Sequence, residues 1–521
     1  MNDKNAELTE MYISAVVHHQ KGDFETAENL YKKILKHLPG HINAQCNLGG
    51  LYVQTGKKND AKSILQDVLK TEPNNINANA NLGIVFNHLG EHEKSIECHK
   101  KALSIDPNNT DTHSNLGSSY KQLGETDLAK KHYYKAIEIN PNHANAYNNL
   151  GTVLRGSGEH EKAISALKKA LEIEPNFFNA QANLSNTYLN KPNTIEKSVK
   201  ASYEALSIHH SGSKTYSQHV PLFRLKHDIE QIKYLKSKNY KIDGLDAFYE
   251  TGKEILRTDE NKETENNFNK NILLNANEVK SLLPFYKKKH VYDIPEFSSD
   301  TLNPEKNWEQ VEVEYMNSKD KIMYIDDFLS AKAIKELREF SLVSKVWIHQ
   351  MPNKYLGAFS DSGFTSPLHI KIGTDLQKKL PKLFGKHQIE KFWGFKYDTS
   401  LGGGIGIHAD FAYLNLNFWI TPNEYNNDKN SGGLKVYDAP APDNWSFDKY
   451  NRNAKVIYKY LEEKKANCKI IPYKFNRAVL FNSAYFHETD KIDFKPGYES
   501  RRINITYLFG ARKIKSKNEK K

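Results

Sequence analysis

Residues 81–117 read NLGIVFNHLGEHEKSIECHKKALSIDPNNTDTHSNLG, and the triplet that opens this stretch also closes it. Asn81-Leu82-Gly83 returns 34 residues later as Asn115-Leu116-Gly117. Further out, the triplet stands at Asn47-Leu48-Gly49 and Asn149-Leu150-Gly151, and it decays to Asn183-Leu184-Ser185. Prolines at Pro39, Pro73, Pro107, Pro141 and Pro175 keep the same step, as do glycines at Gly22, Gly56, Gly90, Gly124 and Gly158. Two independent ladders at one period mark an internal repeat, in which each unit buries its apolar face only against its neighbours.

Within each unit the triplet is followed by Tyr52, Phe86, Tyr120, Leu154 or Tyr188, then by the turn glycine, then by a small residue (Ala61, Ser95, Ala129, Ala163). This pattern resembles the tetratricopeptide repeat family, whose unit is a helix, a turn and a second helix. Glycine suits the end of the first helix, a small residue lets the second pack closely, and proline punctuates the entry to the next unit. Six units fit residues 6–208, the first atypical at Ala15 and His18 and the sixth carrying an insertion near 191–193. The resemblance implies an all-α solenoid over 1–210 with a concave groove. The asparagines that open the triplets, Asn47, Asn81, Asn115, Asn149 and Asn183, fall on the first helices. Amides that both donate and accept can grip an extended peptide backbone whatever its side chains. The row is similar to that in the repeats of O-linked N-acetylglucosamine transferase, and a polypeptide in the groove is the expected partner.

The whole chain has 521 residues, enough for about three domains. It lacks an 18-residue apolar run and a secretory leader pattern, so a cytoplasmic protein without a membrane span is expected. Three cysteines, Cys46, Cys98 and Cys468, are too scattered for a disulfide framework or a cysteine-rich zinc site. Net charge is +11 and unevenly placed. Residues 1–210 carry 23 basic and 23 acidic side chains, 211–320 carry 17 and 19, and 321–521 carry 34 and 21. Much of the excess lies in a basic tail over 512–521, which reads as a solvated end rather than a nucleic-acid arm.

Residues 211–320 read as a helical connector. Leu222, Leu225, Ile229, Ile232 and Leu235 predict a helix over Pro221–Lys238, and a second is predicted over Leu245–Leu256. Both are expected to cap the open end of the solenoid, followed by a polar loop near 259–271.

Beyond residue 320 the pattern turns to strands. A strand-like start at Tyr324–Phe328 and a helix over Ser330–Phe340 with Ser330 as its cap precede apolar runs at Phe392–Tyr397, Ala412–Ile420, Gly433–Tyr437, Cys468–Pro472, Ala478–Phe481 and Arg502–Phe509. Strands after helices suggest a separate antiparallel sandwich or jelly roll over 321–511. Inside it, Gly402-Gly403-Gly404-Ile405-Gly406-Ile407 leads into His408-Ala409-Asp410, and His487 follows 79 residues after His408. Two residues apart on extended chain, His408 and Asp410 share a face. Two imidazoles and one carboxylate with open positions form the facial triad of non-haem iron oxygenases. His-x-Asp alone is common by chance, and the weight comes from the ordered context: a Gly-rich approach, an apolar strand, the Ser431-Gly432-Gly433 turn, His487, and Arg502-Ile503-Asn504 fifteen residues on.

This segment resembles the 2-oxoglutarate-dependent Fe(II) oxygenases, in particular their prolyl 4-hydroxylase-like branch. The resemblance implies a double-stranded β-helix, with His408, Asp410 and His487 as catalytic metal ligands. It implies Arg502 as the anchor of the cosubstrate's distal carboxylate, a role that suits a planar, permanently charged guanidinium. Arg501 points to the opposite face of the strand. Tyr397 stands where relatives contact the cosubstrate, and Trp419 where they place another aromatic. The implied cofactors are Fe(II), 2-oxoglutarate as cosubstrate and O2, with ascorbate as an optional reductant. Retention of Asp410 disfavours halogenation. The combined expectation is a dioxygenase hydroxylating a peptide or protein recruited by the repeat groove. Two alternatives stay open: the same chemistry on a small molecule or glycan with the repeats used for assembly, and a non-catalytic adaptor with a degenerate oxygenase fold. Nucleic-acid demethylation is a weaker option resting only on the basic C-terminal part.

Overall fold

The computed structural model describes residues 2–191, 194–212, 219–242, 244–258, 270–287, 290–294, 297–351, 355–398, 404–443, 445 and 447–511. The core of the polar loop, 259–269, the triplet 401–403 and the basic tail 512–521 lie outside them. The chain divides into two compact units, Met1–Pro175 and Asn176–Lys521.

The first unit is a series of helical hairpins: α1 (Asn2–Gln20), α2 (Phe24–His37), α3 (Ile42–Gln54), α4 (Lys58–Thr71), α5 (Ile76–His88), α6 (His92–Ile105), α7 (Thr110–Gln122), α8 (Thr126–Ile139), α9 (Ala144–Gly156) and α10 (His160–Ile173). The ladder glycines from Gly22 to Gly158 all sit at φ between +76° and +79°, the left-handed conformation that a helix-ending turn requires. The ladder prolines precede the helix caps, where side chains of His41, Asn75, Asn109 and His143 accept from the backbone N–H three residues on. The glycine of the triplet does something different: it lies within the first helix and makes room for the second. A Cβ at Gly49, Gly83, Gly117 or Gly151 would meet Leu65 at 2.6 Å, His99 at 2.5 Å, Tyr133 at 2.8 Å or Leu167 at 2.6 Å. The small residues Ala61, Ser95, Ala129 and Ala163 are fully buried opposite. First helices of successive repeats, such as α3 and α5 or α7 and α9, also pack against one another, which places them on the inner side of the stack.

The second unit begins with what the sequence presents as the sixth repeat, α11 (Phe178–Leu189) and α12 (Ile195–Gly212). The division at Pro175 differs from the expected one near 210, and the reason is visible in its hydrogen bonds. Asn190 Nδ2 donates to Ile389 O at 2.8 Å, Ser202 Oγ donates to Ser360 O at 2.7 Å, and Gly363 N donates to Ser202 Oγ at 2.8 Å. This hairpin is bound to the β-rich body. The connector belongs to the same body, its helix Ala276–Lys287 in contact with α12. It comprises β1 (His219–Pro221), α13 (Leu222–Ser237), α14 (Leu245–Arg257), β2 (Asn271–Leu273) and α15 (Ala276–Lys287). On α13, buried Gln231 donates to the carbonyls of Leu342, Val343 and Ser344, and buried Arg224 pairs with Asp228 at 2.7 Å and donates to Trp347 O.

The β-rich part runs α16 (Trp308–Asn317), β3 (Ile322–Ile325), α17 (Ala331–Val343), β4 (His349–Met351), β5 (Tyr355–Phe359), α18 (Pro367–Lys379), β6 (Ile389–Tyr397), β7 (Ala412–Trp419), β8 (Leu434–Pro440), α19 (Phe447–Arg452), α20 (Ala454–Glu463), β9 (Cys468–Ile471), β10 (Ala478–Asn482), β11 (Tyr485–Thr489) and β12 (Arg502–Ala511). Ser330 caps α17, its hydroxyl accepting from Ala333 N. Seven strands form an antiparallel sheet in the order β3-β10-β7-β12-β6-β5-β4, and three form a second in the order β11-β8-β9. One face of the large sheet packs on α17 and α18 through Phe340, Leu376, Phe392, Leu416 and Tyr507. The small sheet packs on the other face through Val436, Ile471, Trp419, Val479 and Phe481. Among the described residues the two hydrogen-bonded ladders form separate sheets rather than one closed jelly-roll barrel.

Candidate metal centre and repeat surface

Between the two sheets, side chains that are far apart in sequence converge. His408 and His487 meet across an isolated antiparallel bridge, with ring centroids 4.2 Å apart. Each Nδ1 faces a carbonyl two residues back, Gly406 O at 2.8 Å and Tyr485 O at 3.0 Å. A carbonyl only accepts, so Nδ1 carries the hydrogen in both rings, which leaves Nε2 as the atom that can turn to a ligand. Both Nε2 atoms face Asp410, at 3.9 Å from Oδ1 and 3.5 Å from Oδ2. The main chain of Asp410 is fixed by its N–H to Ser483 O at 3.0 Å. One ligand atom from each of the three side chains lies within 4.8 Å of the other two.

The electrostatics suit a cation. Burial, reinforced by the neighbouring His408, holds the His487 imidazole well below its usual pKa, so the ring is neutral. Burial pushes the Asp410 carboxyl above its usual range, an effect partly offset by His408 and by a hydrogen bond from Asn415. A divalent ion would relieve the penalty on the carboxylate, with the Nε2 atoms of both imidazoles turned toward the same place. The donor set therefore fits a metal of the kind that takes two imidazoles and a carboxylate.

Arg502, at the start of β12, is 1% exposed. Its Nε donates to Gly432 O at 2.6 Å, Nη2 to Gly433 O at 3.3 Å and Nη1 to Asn504 Oδ1 at 3.3 Å. Every one of these three partners is neutral, and the Asp490 carboxylate adds a further attraction. Arg501 is already paired, with Asp398 at 2.6 Å and Glu230 at 2.8 Å. The Arg502 guanidinium lies 4.9 Å from the ring centre of Tyr397 and 5.6 Å from that of Trp419, so both aromatics hold its plane. Tyr397 stands directly opposite Arg502 in the β6–β12 register. Its hydroxyl is buried beside Thr489 and Arg502 without a well-formed hydrogen bond, and burial pushes its pKa up to about 12.

The three ligand residues and Arg502 line one narrow cavity of about 20 Å³, together with Trp393, Phe395, Ile405 and Leu434. Larger clefts occur at the turns around Glu72–Asn109 and beside His387 and Tyr413, but neither gathers a ligand set. On the cavity floor, Asn417 escaped the sequence reading, and Asn504 entered it only as part of the pattern that begins at Arg502. The available signal was the alternation Leu414-Asn415-Leu416-Asn417, which puts amides at every second position of an otherwise apolar strand.

Family models of the tetratricopeptide repeat match residues 18–83, 85–124 and 109–175. Residues 18–175 are tetratricopeptide repeats. Solved structures similar to this chain are also repeat proteins. MamA is 31% identical over 31% of this chain and 94% of its own (TM-score 0.27), and a thermophilic repeat protein of Thermus thermophilus is 20% identical over 35% and 99% (TM-score 0.33). YrrB, which has an unusual peptide-binding site, is 24% identical over 33% of this chain and 88% of its own (TM-score 0.27). Among curated proteins, none matches the chain. Within the tetratricopeptide repeats, Asn47, Asn81, Asn115 and Asn149 stand one to a helix on α3, α5, α7 and α9, all half-buried. Asn183, the expected fifth member, stands on α11 in the second unit. Asn47 Nδ2 donates to the Tyr12 hydroxyl at 2.9 Å, and Asn149 Oδ1 accepts from Asn148 Nδ2 at 3.3 Å, so these two amides are partly engaged within the repeats.

Proposed function

We propose that the second unit is a 2-oxoglutarate- and Fe(II)-dependent dioxygenase on a double-stranded β-helix, hydroxylating a polypeptide that the tetratricopeptide repeats recruit. The observation that carries this reading is the shared cavity: a two-histidine, one-carboxylate set and a buried guanidinium whose hydrogen-bond acceptors Gly432 O, Gly433 O and Asn504 Oδ1 are all neutral line the same narrow space. His408, Asp410 and His487 would hold the iron, leaving further positions for cosubstrate and O2. Iron bound there supplies the oxidising chemistry, in which 2-oxoglutarate and O2 yield succinate, CO2 and a hydroxylated substrate. The chain's own residues bind, orient and exclude water. Arg502 offers a charged, planar donor to the cosubstrate's distal carboxylate. Tyr397 and Trp419 fix that donor's plane, and Phe395, Ile405 and Leu434 keep the cavity dry. The small side chain a halide would need is absent, because Asp410 occupies the ligand position.

A polypeptide as substrate is supported by the amide-bearing inner helices of the repeats. Succinate formed from 2-oxoglutarate by the iron-loaded full chain, with a gain of about 16 Da (one oxygen atom) on peptides that bind residues 1–175, tests both halves. Failure of the wild-type chain to bind a divalent metal overturns the enzymatic reading.

A further inference from the structure

Four hydrogen bonds join the two ends of the cavity. Arg502 Nη1 donates to Asn504 Oδ1 at 3.3 Å, and Asn504 Nδ2 to Asn417 Oδ1 at 3.0 Å. Asn417 Nδ2 then donates to Asn415 Oδ1 at 3.0 Å, and Asn415 Nδ2 to Asp410 Oδ2 at 2.6 Å. The strands dictate this path. Arg502 and Asn504 alternate along β12, Asn415 and Asn417 along β7, and the two strands are hydrogen-bonded neighbours. The ends fix the direction of the amides between them. A guanidinium can only donate and an ionised carboxylate can only accept, so each amide must accept on the Arg502 side and donate on the Asp410 side.

All three asparagines are buried, with 0%, 6% and 4% exposure for Asn415, Asn417 and Asn504. Apolar residues would fill the middle of a sheet without the desolvation cost of three amides. Thr506 braces the centre of the chain, its hydroxyl donating to Asn417 Oδ1 at 2.8 Å. Hydrogen bonds that all point one way polarise one another, most strongly where the dielectric is low.

We infer that Asn417 and Asn504 are positioning residues that couple occupancy of the Arg502 anion site to the metal affinity of Asp410. The inference rests on the proposed reading of the site. With the anion site empty, the guanidinium polarises the chain and draws charge from the Asp410 carboxylate through Asn415. A carboxylate ligand on Arg502 neutralises that pull, so Asp410 becomes a stronger donor and the metal binds more tightly. By linkage, metal favours the anion to the same degree.

The test uses the full chain without oxygen, Mn(II) as the metal, and glutarate, a dicarboxylate with no keto group with which to chelate. In the wild type, saturating glutarate should tighten Mn(II) binding about fivefold, at the lower end of ordinary coupling between sites. Asn417→Leu breaks the chain at its centre and should reduce that factor to about twofold or less, the share left to direct attraction. Asn504→Ala, one link nearer Arg502, should do the same, and Thr506→Val, which removes only the brace, should keep most of the coupling. Equal coupling in the wild type and in either asparagine variant that binds Mn(II) overturns the inference while leaving the metal centre standing, as does the absence of coupling in a wild type that binds Mn(II). A wild type that binds no Mn(II) overturns the metal centre and the inference together.

Discussion

His408 and His487 hold each other through their main chains: His408 N donates to His487 O at 3.0 Å, and His487 N to His408 O at 2.8 Å. The bridge pairs the two backbones without using either side chain. Ligand removal can therefore be separated from loss of fold.

His408→Ala should lower divalent-metal affinity by more than about 100-fold, beyond the 10- to 100-fold that outer partners of a metal site typically cost. Its metal-free melting temperature should stay close to that of the wild type, since the bridge survives. Asp410→Ala should do the same to affinity and abolish 2-oxoglutarate turnover. Calorimetric metal titration together with thermal melting checks both, and wild-type turnover in His408→Ala removes the ligand assignment.

Arg502→Lys keeps a charge but loses the planar fork, and should raise the 2-oxoglutarate concentration needed for half-maximal turnover by about tenfold or more, equivalent to about 1.4 kcal/mol. Arg501→Lys should not, because Arg501 is engaged by Asp398 and Glu230. Steady-state turnover at varied 2-oxoglutarate separates the two, and equal effects would remove Arg502 from the cosubstrate site.

His369 supplies a pH signature of the second unit. It is fully buried among Phe340, Phe364 and Phe392, its Nδ1 lies 2.7 Å from Ser366 Oγ, and burial pushes its pKa down to about 3. Its folded value lies below its unfolded one, so its contribution is fully present above about pH 6.5 and is lost as the pH falls toward 3, by about 1.4 kcal/mol per unit. Melting of the full chain should decline from about pH 6.5, earlier than carboxylates alone would cause. His369→Gln should make that decline shallower, and an unchanged slope would show that His369 is not its source.

Asn81→Ala combined with Asn115→Ala should weaken binding of a peptide partner to the repeats by about tenfold, given about 1 kcal/mol for each lost hydrogen bond and partial engagement of each amide. Isothermal titration with a captured peptide reads the change. Unaltered affinity would move the peptide off these helices.

The repeats were legible because local chemistry repeats: each period carries a left-handed turn glycine and a glycine that admits a side chain from the next helix. The strands Ala412–Trp419 and Ala478–Asn482 were legible too, since an apolar run in a sheet covered on both faces is itself a signal. His349–Met351 and Tyr485–Thr489 were not, because they are short and polar and owe their conformation to partners across the sheet. At the site, His408, Asp410, His487 and Arg502 came from their order along the chain. The amides of Asn415 and Asn417 did not, because each finds its role only in a neighbour that folding brings beside it. The boundary moved for a similar reason: α11 and α12 carry the repeat's local pattern, while their partners at Ser360, Gly363 and Ile389 lie more than 150 residues downstream.

That displaced hairpin makes the protein modular in an uneven way. Stacked repeats answer chiefly to their immediate neighbours. A cut placed where the repeat pattern ends, near residue 210, would strip the β-rich body of its bonds at Ser360, Gly363 and Ile389, because the hairpin that looks like the last repeat is part of what it would be cut from.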